Sequence, residues 1–217
     1  MPLNQGFIVD SYRLYQIAKD GYYKARKGFE IHSQNDAVVS IIFSALALEA
    51  FINEIPAIAK CEKQAGSTEA FLDKLIDAIE ESDSNKKNTQ HKFMLASEAL
   101  NSPFKKEQQP YQEFADLFKL RDCLVHLKPK DVIEEQEDGE IKYFGRDLTK
   151  RLRSKGIFLD TSVDSIILKV STAKAAFWAC NTASKMVKEI LEKLPASFTG
   201  NNPQIDLYRI EFQAPEK

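Results

Sequence analysis

The run Arg121-Asp122-Cys123-Leu124-Val125-His126 is the part of the chain best equipped for chemistry. With successive helix residues about 100° apart, Phe114, Leu117, Phe118, Leu124 and Val125 form one apolar stripe, and Arg121 projects from its middle. A guanidinium stays charged at ordinary pH, so burying it alone costs several kcal/mol. Three things can compensate it: an internal carboxylate, a second protein chain, or an anionic ligand. The last of these is a route to function.

A second charge stands in an apolar setting. The segment Val38 to Ile52 is apolar nearly all round, the pattern of a helix in the middle of a bundle. Glu49 falls near the centre of the face made by Val38, Ile42, Ala45 and Ile52, with Asn53 one turn later. An inward carboxylate and an inward guanidinium on two central helices are expected to meet, each favouring the charged form of the other. Two compatible roles follow. The pair fixes helix register, or Glu49 aims Arg121 at a phosphate and leaves guanidinium donors free.

Helical patterns dominate the elements that would position these residues. The spacing predicts a first helix over Tyr12 to Ile31, interrupted or frayed near Gly21 and Gly28. A second, capped by Asn35 or Asp36, runs through Ile55 with a kink at Pro56, and a third is capped by Ser67. Glu81 to Asn88 reads as a loop, Thr89 to Leu100 as a short fourth helix, and a fifth opens near Pro110. Pro129 should end that helix around His126 to Leu127. Val132 to Glu137 and Glu140 to Phe144 flank Asp138-Gly139, the signature of a β-hairpin. Arg146 to Lys155 reads as a short basic helix ended by Gly156. An unbroken helix is expected over Val163 to Leu194, roughly 48 Å long at the usual rise. The tail Ile205 to Phe212 alternates like a strand that docks on the hairpin.

Composition narrows the class. The chain has 217 residues, 29% of them charged and 43% hydrophobic, which suits one folded domain with a sizeable core. A net charge of -2 excludes a globally basic nucleic-acid coat or polybasic membrane binder. Cys61, Cys123 and Cys180 are odd in number and in no CxxC spacing, which argues against disulfides and zinc and for a reducing compartment. His32 and His91 lack partners at metal-ligand spacing, and no phosphate-binding glycine loop is present. The start of the chain lacks signal-peptide character, and the run Ala37 to Ile52 is shorter than the roughly 20 apolar residues of a membrane span. A cytoplasmic, soluble protein without membrane contact is expected.

Arg121, Asp122 and His126 match an R-polar-x3-H pattern that resembles the motif of HEPN-domain proteins, in which Asn is commoner than Asp after the arginine. The run Ala47-Leu48-Glu49-Ala50-Phe51-Ile52-Asn53-Glu54 is similar to a sequence seen in many HEPN helices, and the resemblance spans roughly Val38 to Leu194. It implies a metal-independent endoribonuclease that needs no cofactor, of toxin, antiphage or stress type, with two motifs facing across a homodimer. The residues suit that chemistry. His126, of a type with reference pKa near 6.5, would take a proton from a ribose 2′-OH, and Arg121 would stabilise the phosphate. Asp122, one turn before His126, would orient the imidazole, with Glu49 and Asn53 in support. In a regular helix Arg121 leans away from His126, so either the helix loosens before Pro129 or two chains combine.

The expected fold is therefore all-α: an up-down, HEPN-like helical bundle in one domain over 1–217. A β-hairpin and basic-helix insertion would occupy about 130–156, and a tail would begin near 196. Lys128, Lys130, Arg146, Lys150, Arg151 and Arg153 would contact RNA phosphates, although such a run also serves as an ordinary solvated face. Lys19, Lys24, Arg26 and Lys27, interleaved with Tyr22 and Tyr23, form a weaker version, and Trp178 reads as core or interface. Partners would be RNA, a second copy and an antitoxin or similar protein. The alternative is a non-catalytic helical interaction or scaffold module. In it the Glu49–Arg121 pair is purely architectural and His126 merely faces terminal carbonyls.

Overall fold

The chain's computed structural model describes residues 9–28, 31–126, 134–135, 141–142, 146–159, 165–195, 198 and 202–216. Among these the fold is all-α. The helices are α1 (Ser11–Lys27), α2 (Ile31–Gln64), α3 (Ala70–Ser84), α4 (Thr89–Ala99), α5 (Tyr111–Val125), α6 (Arg146–Ser154), α7 (Ile166–Val170), α8 (Ala173–Lys193) and α9 (Pro203–Glu211). Between α5 and α6, Glu134–Glu135 pairs antiparallel with Ile141–Lys142, Glu134 opposite Lys142 and Glu135 opposite Ile141. The rest of the expected hairpin lies outside the described residues.

Helix α2 is the axis of the core. Its Ile41, Ala45, Leu48, Phe51, Ile52, Ile55 and Ile58 are fully buried, and α1, α3, α5 and α8 all pack on it. It begins at Ile31, ahead of the expected cap at Asn35 or Asp36, and continues past Pro56 to Gln64. The proline removes one backbone hydrogen bond, but burial of Ile58 and Ala59 beyond it outweighs that loss. Over Asn35–Gln64 the helix is long and apolar enough by composition to cross a membrane, longer than the run to Ile52 suggested, and half of its most apolar window is covered by the rest of the fold.

Helix α1 runs antiparallel to α2, with its start beside Glu54 and its middle beside Asp36 and Ser40. Its buried positions Ser11, Tyr15, Ala18, Tyr22 and Ala25 follow helical spacing. Gly21 does not interrupt it. A Cβ there would lie 2.7 Å from the Asp36 carbonyl oxygen, so the glycine permits close approach of α2 instead.

Three expectations are corrected. Helix α3 starts after Glu69 rather than at a Ser67 cap, and continues into the expected loop as far as Ser84. The expected long helix over Val163 to Leu194 is divided. Ser165 caps α7, then the Thr172 hydroxyl accepts the Ala175 N–H at 2.9 Å and restarts the chain as α8, about 32 Å long. The expected strand at Ile205 to Phe212 is the helix α9. The Asn202 side chain accepts the N–H groups of Gln204 and Ile205 at 3.1 and 3.2 Å, and Pro203 takes the first turn.

Beyond α9 the chain lies along α1, not on the hairpin. The Tyr15 hydroxyl reaches the Gln213 carbonyl at 3.1 Å, Tyr22 donates to that of Glu216 at 3.0 Å, and Lys19 to that of Glu211 at 3.2 Å. Phe212 stacks on Tyr15 at 4.7 Å between centroids. Glu54 ties both ends to α2: its carboxylate accepts from Asp10 N–H, Ser11 N–H, the Ser11 hydroxyl and the Tyr208 hydroxyl.

Candidate functional site

Helix α5 carries the motif. Phe114 and Leu117 are fully buried and Phe118 and Leu124 nearly so, while Val125 is 49% exposed and leaves the stripe. The last turn therefore rises out of the core, and Arg121 is only partly covered, with 21% of its side chain exposed. Its Nη2 donates to Glu49 Oε2 of α2 at 2.9 Å, and its Nη1 to Asp122 Oδ1 at 2.8 Å. A guanidinium has five N–H donors, so others remain after these two bonds. Glu49 and Asp122 are 41% and 57% exposed, which leaves the cluster open to solvent on one side.

His126 follows Val125 as the C-cap, with φ -113° and ψ 39°, and is exposed. Its N–H still donates to the Asp122 carbonyl at 2.9 Å, so it sits one turn beyond Asp122. No hydrogen bond of its imidazole occurs among the described residues. The structure thus brings Glu49, Arg121 and Asp122 together at the end of α5, with His126 beside them. Asp122, expected on His126, holds Arg121 instead. Adjacent helix residues do not face one another, so this contact depends on the arginine folding back.

Asn53 departs from its expected supporting role. It faces α4, where its Oδ1 accepts from Lys92 Nζ at 2.7 Å, and Lys92 also pairs with Asp83. One helical turn of α2 separates two polar networks: Glu49 looks to α5, Asn53 to α4.

The basic helix α6 packs on α5 through buried Leu148 and Leu152. Arg151 is not available as a free phosphate contact. Its Nε and Nη2 grip both oxygens of Asp116, at 2.7–3.2 Å, and that carboxylate is 4% exposed. Lys155 pairs with Glu113 at 3.2 Å, and Lys185 of α8 approaches the same carboxylate at 3.9 Å. Lys150 and Arg153 face solvent. Lys128, Lys130 and the Arg146 side chain lie outside the described residues. The Asp116 partnership was missed because the acid sits five residues before Arg121 on another side of the same helix, with no local signal to link it to Arg151.

Cys180 and Trp178 belong to the core. Burial pushes the Cys180 thiol upward, and the thiol lies 3.2 Å from Ser40 Oγ in the α2–α8 seam. Trp178 is buried, without a hydrogen-bond partner for its Nε1 among the described residues. Lys19 and Arg26 hold the C-terminal carbonyls. Among the described residues no three His, Cys, Asp or Glu side chains cluster to hold a metal.

Set against known proteins, the chain matches no family model, no curated protein and no solved structure.

Proposed function

We propose that this protein is a HEPN-like, metal-independent endoribonuclease of the toxin or defence type, working as a cytoplasmic homodimer. The observation that carries the reading is the end of α5. A partly covered arginine with spare donors is oriented by a carboxylate from α2, next to an exposed histidine whose imidazole has no hydrogen bond among the described residues. Arg121 binds the scissile phosphate. His126 takes the proton of the ribose 2′-OH, the 2′-oxygen attacks the adjacent phosphorus, and the P–O5′ bond breaks. The leaving 5′-oxygen takes a proton from water, and the product carries a 2′,3′-cyclic phosphate. Glu49 is a positioning residue for Arg121. Lys150 and Arg153 on α6 steer the RNA backbone, and the pairing at 134–142 with α6 forms an insertion in a bundle of the HEPN type.

Purified protein incubated with RNA in EDTA tests this: wild type cleaves, and Arg121→Ala and His126→Ala each lose at least most of the activity while remaining folded. Unchanged cleavage in His126→Ala would remove the reading. The competing view, a non-catalytic interaction module, is favoured by one observation: two carboxylates already share Arg121, as an architectural cluster would have them.

A further inference from the structure

We infer that Asp122 is an exchangeable positioning carboxylate, holding Arg121 while the site is empty and moving to the His126 imidazole when a phosphate diester replaces it on the guanidinium. The identity of the phosphate as RNA rests on the nuclease reading above; the exchange itself rests on geometry.

Arg121 faces two carboxylates at 2.8 and 2.9 Å, so the cluster carries surplus negative charge. An incoming phosphate is repelled as long as both remain. The two are not equally held. Glu49 comes from the buried axis α2 and approaches from across the helix interface. Asp122 is the more exposed, and its carboxylate has no hydrogen bond besides the one to Arg121 among the described residues. It is the partner that leaves at least cost.

Asp122 also has somewhere to go. The His126 N–H bond to the Asp122 carbonyl keeps the two residues one helical turn apart. At that spacing side chains are neighbours, about 5–6 Å between Cβ atoms. A carboxylate on Nδ1 fixes the tautomer with Nε2 free to accept a proton, then stabilises the imidazolium formed when the 2′-OH gives one up. The charged groups in contact here, among the described residues, are Glu49 on α2 and Arg121 and Asp122 on α5, with His126 beside them. One side chain thus guards the empty site and completes the occupied one.

The full chain carrying Asp122→Asn tests this, with Asp122→Ser as a second variant. Binding of a non-cleavable 2′-O-methyl RNA oligonucleotide, followed by fluorescence anisotropy, is expected to tighten about tenfold, because a competing negative charge is gone. Turnover of cleavable RNA is expected to move the other way, with kcat falling about tenfold or more in Asp122→Ser, which removes imidazolium support altogether, and less in Asp122→Asn, whose amide oxygen still accepts from Nδ1–H. Nitrogen NMR of His126 should show an Nδ1–H···carboxylate bond in the oligonucleotide complex of wild type, and none in the free protein or in Asp122→Asn. Oligonucleotide affinity that is unchanged or weaker in both variants overturns the exchange, and so does a complex in which His126 gains no such bond. If wild type binds the oligonucleotide with these features yet cleaves nothing, the exchange stands and the nuclease reading fails. If Asp122→Asn cleaves with unaltered affinity and kcat, the nuclease reading stands and the exchange fails.

Discussion

Removing Glu49 and Arg121 singly and then together separates the two uses of this pair. Their side chains are 41% and 21% exposed, and the bond is 2.9 Å. Water reaches both, so the coupling belongs with solvent-screened pairs, about 0.2–1 kcal/mol in double-mutant cycles. A sequestered pair would behave differently, losing roughly 3–5 kcal/mol when one partner is removed. The suitable cycle is Glu49→Gln, Arg121→Met and the double variant, because methionine keeps much of the aliphatic stem. Urea unfolding followed by circular dichroism at pH 7 should give a coupling of about 1 kcal/mol, shrinking in molar salt as screening tightens to about 3 Å. A coupling above about 3 kcal/mol, insensitive to salt, would refute the reasoning. The pair would then be the architectural clamp, and Arg121 would need no ligand to explain it.

Other substitutions have equally specific outcomes. Gly21→Ala should destabilise by about 1–2 kcal/mol in thermal melts, since overpacking against the Asp36 carbonyl, 2.7 Å from the new Cβ, exceeds the gain in helix propensity. Arg151→Ala should cost about 3–5 kcal/mol by leaving the Asp116 carboxylate sequestered without its guanidinium, and Asp116→Asn/Arg151→Ala should recover part of it. Tyr208→Phe should lose about 2 kcal/mol, because its hydroxyl donates to the Glu54 carboxylate at 2.5 Å.

Alkaline stability follows from buried phenols. Burial raises the Tyr15, Tyr111 and Tyr208 hydroxyls above the ordinary 10.0, and for Tyr208 the nearby Glu54 carboxylate raises it further. The unfolded chain ionises first, so this stabilisation is complete below pH 10 and is lost as pH climbs beyond it. Phenolate absorbance and circular dichroism should therefore change together in one cooperative transition.

Periodicity made the core helices legible: the fourth and fifth helices and the all-α class follow from apolar spacing alone. So does the meeting of Glu49 and Arg121, since each is a charge on an apolar face of a central helix. What periodicity concealed was interruption. Apolar positions keep helical phase across Ser171 and Thr172, so only the hydroxyl capping Ala175 N–H reveals the break. At Ile205 to Phe212, alternation outweighed the Asn202-Pro203 start signal, although that signal has the clearer mechanism. Charge and position alone do not tie Arg151 and Asn53 to their partners, Asp116 and Lys92, which come from other helices. Long-range ion pairs leave no trace in local spacing. The hold of Asp122 on Arg121 was hidden for another reason: neighbours in sequence seldom interact on a helix, and here the arginine turns back.

The most direct test of the catalytic reading is the chemistry of the product ends. RNA incubated with wild-type protein in EDTA should yield fragments with 2′,3′-cyclic phosphate and 5′-hydroxyl ends. His126→Ala should yield none, and RNA with a 2′-O-methyl group at the scissile position should stay intact. Intact RNA with wild type, or fragments with 5′-phosphate ends that persist in His126→Ala, would contradict the assignment of Arg121 and His126 as a ribonuclease pair.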